Sequence, residues 1–193
     1  MNQKIKNIKI DLLSNNWYTL NNIHFDYQLK NGEWVNLSRE SYDRGNGATI
    51  LLYNTKKKTI ILIRQFRMPS FVNGNENGMM IETCAGVLDG DDPVTCIVKE
   101  TEEETGFRVK NVEKVFESYM SPGAVTEIIH FFIAEYDDGM KFSEGGGLES
   151  ENEDIDVLEI DFNKAIQMVK MGEIKDAKTI MLLQYAQINK LIP

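Results

Sequence analysis

AGVLDGDDPVTCIVKETEEETGF, residues 85–107, reads as an acidic, glycine-bearing loop running into a helix. The start of the helix is well marked. Asp92 is a good N-cap, and Pro93 suits the first helical position, where its missing N–H is harmless. Gly106 suits the position just past the end, where the chain turns left-handed. Val94, Ile97 and Val98 supply a buried stripe. Glu100, Glu103 and Glu104 fall at i, i+3 and i+4, so the spacing predicts three carboxylates on one face.

Like charges at that spacing repel by a few tenths of a kcal/mol per exposed pair. They also sit near the helix C-terminus, where the helix dipole disfavours anions. Three glutamates alone would be an ordinary solvated face. Here an acidic glycine loop enters the helix, the carboxylates share a face, and a glycine follows directly. A hard divalent cation resolves the repulsion, since Mg²⁺ prefers carboxylate oxygens, waters and substrate phosphates.

Outward from this stretch the chain is rich in strands. Residues 18–29 alternate and lead into Asn31-Gly32, a two-residue hairpin signal, and residues 33–39 return. Gly45-Asn46-Gly47 breaks the chain before an apolar strand at 48–53; Lys56, Lys57 and Lys58 mark a solvated turn, and 59–64 form the next strand. A short strand is expected at 79–84, with others at 115–120, 127–134 and 157–160. Residues 143–154 form a glycine-rich acidic loop, while 162–171 and 178–191 show helical spacing. This order gives a mixed α/β core preceded by a β-rich segment of about 40 residues.

Composition narrows the function. The 193 residues carry 21 basic and 30 acidic side chains, a formal charge of −9. An acidic chain does not gather nucleic acid by long-range attraction, so one that handles phosphates needs divalent cations as intermediaries. Cys84 and Cys96, the only cysteines, fit a reduced compartment better than a disulfide framework. The start, MNQKIKNIKI, lacks the apolar core of a signal peptide, and no run of about 18 apolar residues occurs. The expectation is a cytoplasmic protein with no membrane span.

The 85–107 stretch resembles the Nudix box, G-x5-E-x7-R-E-U-x-E-E-x-G-U, with U a bulky aliphatic residue. Gly86 matches the first glycine, Asp92 the first acid, Lys99 the arginine, and Glu100, Glu103, Glu104 and Gly106 the rest. Asp92 replaces Glu, Lys99 replaces Arg, Thr101 replaces an aliphatic residue, and the spacer 93–98 is one residue short. The resemblance extends through YDRGNGATILLYNTKKKTIILIRQFR (42–67), CAGVLD (84–89), SPG (121–123), FFIAEY (131–136) and GEIKDAKT (172–179). These stretches are similar to the branch of the family that hydrolyses GDP-mannose.

The resemblance implies an α/β/α sandwich with a mixed sheet over residues 43–193. Residues 1–42 would form a small N-terminal β-rich unit that dimerises and contacts substrate. It implies Mg²⁺ held by Glu100, Glu104, the Ala85 carbonyl and one loop carboxylate. Glu151 and Glu153 compete for that last place; anchoring from the downstream D-I-D-V-L-E stretch favours Glu153. Glu103 would be a ligand or position the attacking water, and Glu127 would contact substrate or assist that water. Gly86 and Val87 would line the substrate. Arg67 would meet the pyrophosphate or nucleotide, a task for which Arg is suited, and Lys178 the sugar or phosphate. Arg64 and Arg67, flanking Gln65-Phe66 after a buried strand, are read as lying on the same side, with Arg64 structural. Trp17, Arg39 and Glu40 would reach substrate from the partner of a homodimer; Trp17 is equally readable as a core residue. Pro122, sixteen positions after Gly106, points to a nucleoside diphosphate sugar. The implied reaction is GDP-mannose to GMP and mannose 1-phosphate. ADP-ribose hydrolysis and a catalytically silent ligand-binding Nudix domain are the alternatives. His24 and His130 carry no assigned role.

Overall fold

A computed structural model describes residues 4–148, 150 and 152–193. The chain divides into two compact units, one of residues 1–46 with 119–128, the other of residues 47–118 with 129–193.

The first unit holds β1 (Ile5–Asn15), β2 (Thr19–Gln28) and β3 (Trp34–Asp43), an antiparallel meander in the order β1-β2-β3. The β2–β3 ladder runs from Thr19↔Asp43 to Gln28↔Trp34, so five residues close the hairpin where the Asn-Gly pair predicts two. Asn31 and Gly32 do turn the chain: the Asn31 side chain accepts from the Glu33 N–H at 3.0 Å, and Gly32 takes φ 89°. β1 was not anticipated. Ile8, Ile10 and Leu12 alternate, but Asn7 at φ 53° and a register shift between Lys6 and Lys9 interrupt the period that marks a strand. Residues 119–128 join this unit through Tyr42, whose N–H donates to the Ala124 carbonyl (2.8 Å) and whose carbonyl accepts from Thr126 (3.1 Å).

The second unit is a mixed sheet with helices, as the periodicity predicts. Its strands are β4 (Gly47–Asn54), β5 (Thr59–Phe66), β6 (Met79–Glu82), β7 (Cys84–Val87), β8 (Glu113–Tyr119), β9 (Ile128–Glu135) and β10 (Asp156–Asp161). The order is β10-β5-β4-β9-β8, with β6 on β5 and β7 on β4. β4 and β9 run parallel, which the near-continuous burial of β4 reflects, since helices cover both faces of such strands. The helices are α1 (Met68–Val72), α2 (Pro93–Glu100), α3 (Phe162–Met171) and α4 (Ala177–Ile188). Ala48, Ile50 and Leu52 pack with Ile61, Cys84, Cys96, Ile97 and Phe132 into the core. Truncating Ile97, fully buried, to alanine would cost about 3 kcal/mol.

Two local details differ from the sequence reading. The strand expected over 79–84 breaks at Thr83: β6 pairs with β5 and β7 with β4. Thr83 at the break donates its N–H to Thr179 Oγ1 at 2.7 Å and bonds Thr49 Oγ1 at 2.8 Å, tying α4 to the sheet. Arg64 and Arg67 are not on one side. Residues three apart in extended chain point to opposite faces, and Arg67 is the extended residue that follows β5 and caps α1. Arg64 accordingly bonds Asp156, its register partner on β10, at 2.6 Å, whereas Arg67 turns to Glu82.

Candidate active site

α2 begins as its sequence predicts. The Asp92 side chain accepts from the N–H groups of Val94 (3.0 Å) and Thr95 (3.2 Å) and from the Thr95 hydroxyl. The hydrogen bonds from Thr95 hold its carboxyl below the usual range. Asp92, the first acid of the motif, is therefore spent on the helix start.

At its far end the helix widens. Thr101–Thr105 form one π turn, closed by Gly106 at φ 77°. Such turns recur at functional sites because the extra residue per turn re-aims side chains. Thr101 and Thr105 donate their hydroxyls to the carbonyls four residues back, at 2.6 and 2.5 Å, so the two polar side chains are satisfied within the buried turn.

The carboxylates are then distributed unequally. Glu104 is 2% exposed, and its Oε2 accepts the Ala85 N–H at 3.1 Å. Glu100 lies against the same strand: a Cβ on Gly86 would stand 2.1 Å from Glu100 Oε1. The absence of a side chain at Gly86 thus lets this carboxylate lie against β7, and a Cβ there would push it aside. Glu103 is partly exposed and stands 4.0 Å from Lys99 Nζ, beside the other two.

The glycine-rich loop closes on the same place. Gly146 and Gly147 donate their N–H groups to the carbonyls of Glu104 (2.9 Å) and Glu103 (3.1 Å), satisfying orphan acceptors of the helix end. Glu153 folds back over Gly147, its Oε2 accepting the Leu148 N–H at 3.0 Å. Glu151, the competing loop carboxylate, lies outside the described residues.

Electrostatics tie these groups together. Burial, with the charges of Glu100 and Glu153, pushes the Glu104 carboxyl up to about 8, against hydrogen bonds from Cys84 and the Ala85 amide. A buried carboxyl raised by two neighbouring carboxylates is a site whose repulsion a divalent cation reverses, so these residues fit a metal. Among the described residues no three His, Cys, Asp or Glu side chains converge into a ready metal cage. Mg²⁺ sites commonly use one or two carboxylates and fill the remaining positions with waters and phosphates.

A second cluster adjoins the helix end. Arg67 forks onto Glu82, Nε to Oε1 at 2.9 Å and Nη2 to Oε2 at 3.0 Å. Lys178 Nζ stands 3.5 Å from Glu82 Oε2 and 2.7 Å from Asp176 Oδ1. Asp176 also caps α4, accepting from the Thr179 N–H at 2.9 Å. Burial lowers the Arg67 pKa, but Glu82, Glu104 and Asp176 more than offset it, which places the guanidinium within the field of the metal-helix carboxylate. Sequence reasoning singled out Arg67 and Lys178 but not Glu82 and Asp176, the carboxylates that the two cations pair with.

The remaining expected residues belong to the first unit. Glu127 is mostly buried and 3.3 Å from Arg44 Nε. Arg39 donates from Nη1 to the Ser38 carbonyl at 2.7 Å, and Glu40 is exposed on β3 opposite Asn22. Trp17 is 85% exposed, which removes the core reading, and its ring meets Tyr18 edge-on. Ser121-Pro122-Gly123 form a turn closed by Ala124 and Val125 donating to the Ser121 carbonyl.

A loop–helix–loop that turns glutamates onto a glycine-bearing strand is the arrangement of the NUDIX domain, whose family model matches residues 43–183; the chain belongs to the Nudix family of hydrolases. Residues 4–42 match the GDP-mannose pyrophosphatase NudK N-terminal domain. The chain is 59% identical over 192 residues to the GDP-mannose pyrophosphatases of Shigella dysenteriae serotype 1 (strain Sd197) and Escherichia coli O157:H7. It is 58% identical to that of Escherichia coli (strain K12), and each comparison covers 100% of both chains. Nudix hydrolases generally use divalent metal ions. Among the described residues no helix is long and apolar enough to cross a membrane.

Proposed function

We propose that this protein hydrolyses GDP-mannose to GMP and mannose 1-phosphate with Mg²⁺, acting as a cytoplasmic homodimer. The observation that carries the chemistry is the buried Glu104 carboxyl, raised by burial and by the charges of Glu100 and Glu153, in a chain that also pairs two cations suited to a diphosphate, Arg67 and Lys178, on Glu82. Full-length similarity to GDP-mannose pyrophosphatases supports the choice of substrate.

Glu100, Glu104 and Glu153, with the Ala85 carbonyl, would hold the metal. When bound there, Mg²⁺ would supply charge neutralisation for the pyrophosphate and a lowered pKa for an attacking water. Arg67 and Lys178 bind phosphate oxygens, and the backbone at Gly86 and Val87 lies along the substrate. Glu103 orients the attacking water and takes its proton. Water adds to one phosphorus, the bridging P–O bond breaks, and the bridging oxygen leaves with the other phosphate.

Dimerisation is supported by β1, an edge strand that exposes Ile8, Ile10 and Leu12. Monomers rarely leave such an apolar edge uncovered. Trp17, Arg39 and Glu40 then serve the partner's site. An Ile10→Asp, Leu12→Asp protein is expected to sediment at half the wild-type mass.

The deciding experiment is product analysis after incubation with Mg²⁺ and equal GDP-mannose and ADP-ribose. Preferential GMP and mannose 1-phosphate, lost with EDTA, supports the reading. Preferential AMP and ribose 5-phosphate overturns the substrate. Absence of metal-dependent turnover of either overturns the catalytic role.

A further inference from the structure

Glu82 is an unusual place for a charge. It ends β6 after Met79, Met80 and Ile81, its side chain is 4% exposed, and its register partner is the fully buried Ile63. A carboxylate so placed persists only with compensating charge and hydrogen bonds. Both come from residues far away in sequence: Arg67, fifteen positions back between β5 and α1, and Lys178, at the start of α4.

The geometry leaves both cations with donors to spare. Glu82 takes the Arg67 Nε–H and one Nη2–H; a guanidinium has five N–H groups, so three remain. A bidentate fork also fixes the plane of the guanidinium, which a single contact does not. Lys178 has three ammonium protons and two carboxylate neighbours, Asp176 and Glu82. Arg67 is 43% and Lys178 18% exposed, so each cation extends outward from a common buried anchor.

We infer that Glu82 is a positioning residue for substrate binding: it holds Arg67 and Lys178 in one fixed arrangement that matches the paired phosphates of a nucleoside diphosphate. The inference rests on the reading that these two cations meet the pyrophosphate. Glu82 itself needs no contact with substrate. Without its charge, two long side chains regain their rotamers, and substrate has to order them on binding. The loss therefore falls on binding more than on the chemical step.

Three variants test this with GDP-mannose and Mg²⁺. Glu82→Gln keeps the shape and removes the charge; KM is expected to rise about tenfold with kcat within about threefold of wild type. Arg67→Met should raise KM similarly, and the double variant Glu82→Gln, Arg67→Met should raise it by clearly less than the product of the two single effects, because Glu82 acts partly through Arg67 and only its hold on Lys178 is left to lose. A merely structural glutamate would give additive effects. Should the Gln protein not fold, Glu82→Asp carries the same test, since one methylene less cannot span both cations. An unchanged KM in a folded Glu82 variant, or additivity in the double variant, overturns the inference while leaving Arg67 in its role. An unchanged KM in Arg67→Met overturns the role of Arg67 and the inference with it.

Discussion

The end of β6 and the last turn of the metal helix each bury one glutamate, and they do so in opposite ways. Glu82 is met by Arg67 and Lys178. Glu104, equally buried, has Glu100 and Glu153 for charged neighbours, with hydrogen bonds from the Ala85 amide and Cys84. One carboxylate is compensated by the chain itself. The other is left poised for a charge from outside. Burial alone therefore does not separate a structural anchor from a ligand; the sign of the surroundings does.

Removing each glutamate should separate the two regions. The largest effect is expected for Glu104→Gln, with GMP release from GDP-mannose falling about 10³-fold or more, while the metal-free protein keeps or gains stability. Gly86→Ala comes next. The new methyl meets the Glu100 carboxylate, and kcat should fall about a hundredfold in a protein whose circular dichroism is unchanged. Glu82→Ala should behave inversely to Glu104→Gln. Stranding Arg67 and Lys178 should lower unfolding free energy by about 2 kcal/mol in urea titrations, below the value for a wholly buried pair because Arg67 is part-exposed. Asp92→Ala should cost about 1 kcal/mol of stability through the lost cap and leave kcat within about twofold, since this acid faces backbone amides. A large kcat loss there would return it to the metal site.

The contrast also has a pH signature. The folded Glu104 carboxyl sits at about 8 against an ordinary value of 4.5. A raised carboxylate favours the folded state when protonated, so its contribution is complete below pH 4.5 and lost as pH rises through about 8. Melting of the EDTA-treated protein from pH 5 to 8 should show this decline, and Glu104→Gln should remove it. Equal slopes in both proteins would assign the decline elsewhere.

How much of this was legible follows the range of the interactions. The cap at Asp92, the stop at Gly106 and the bounds of α3 are local, and the sequence reads them almost residue by residue. β1 escaped because Asn7 and its bulge break the alternation. α1 escaped because five residues around Pro69 offer no period. The π turn escaped because TEEET satisfies α-helical spacing equally well, so the deep burial of Glu104 relative to Glu103 was not foreseeable. Glu82 escaped for a different reason: its partners lie 15 and 96 positions away, and a lone glutamate after an apolar run looks like a strand boundary. The error over Arg64 and Arg67 was one of parity, since three steps along extended chain reverse the face.

The clamp between the glycine loop and the helix end has a consequence for how this protein can vary. Gly146 and Gly147 are fastened to the carbonyls of Glu104 and Glu103, and Ile155 donates back to the Gly146 carbonyl at 3.2 Å. The stem of the loop is thus fixed from both sides, and Glu153 returns its carboxylate to the Leu148 amide. Variation is therefore most restricted at Gly146 and Gly147, whose positive φ of 109° and 82° strains any side chain and whose amides set where the last turn of the metal helix ends.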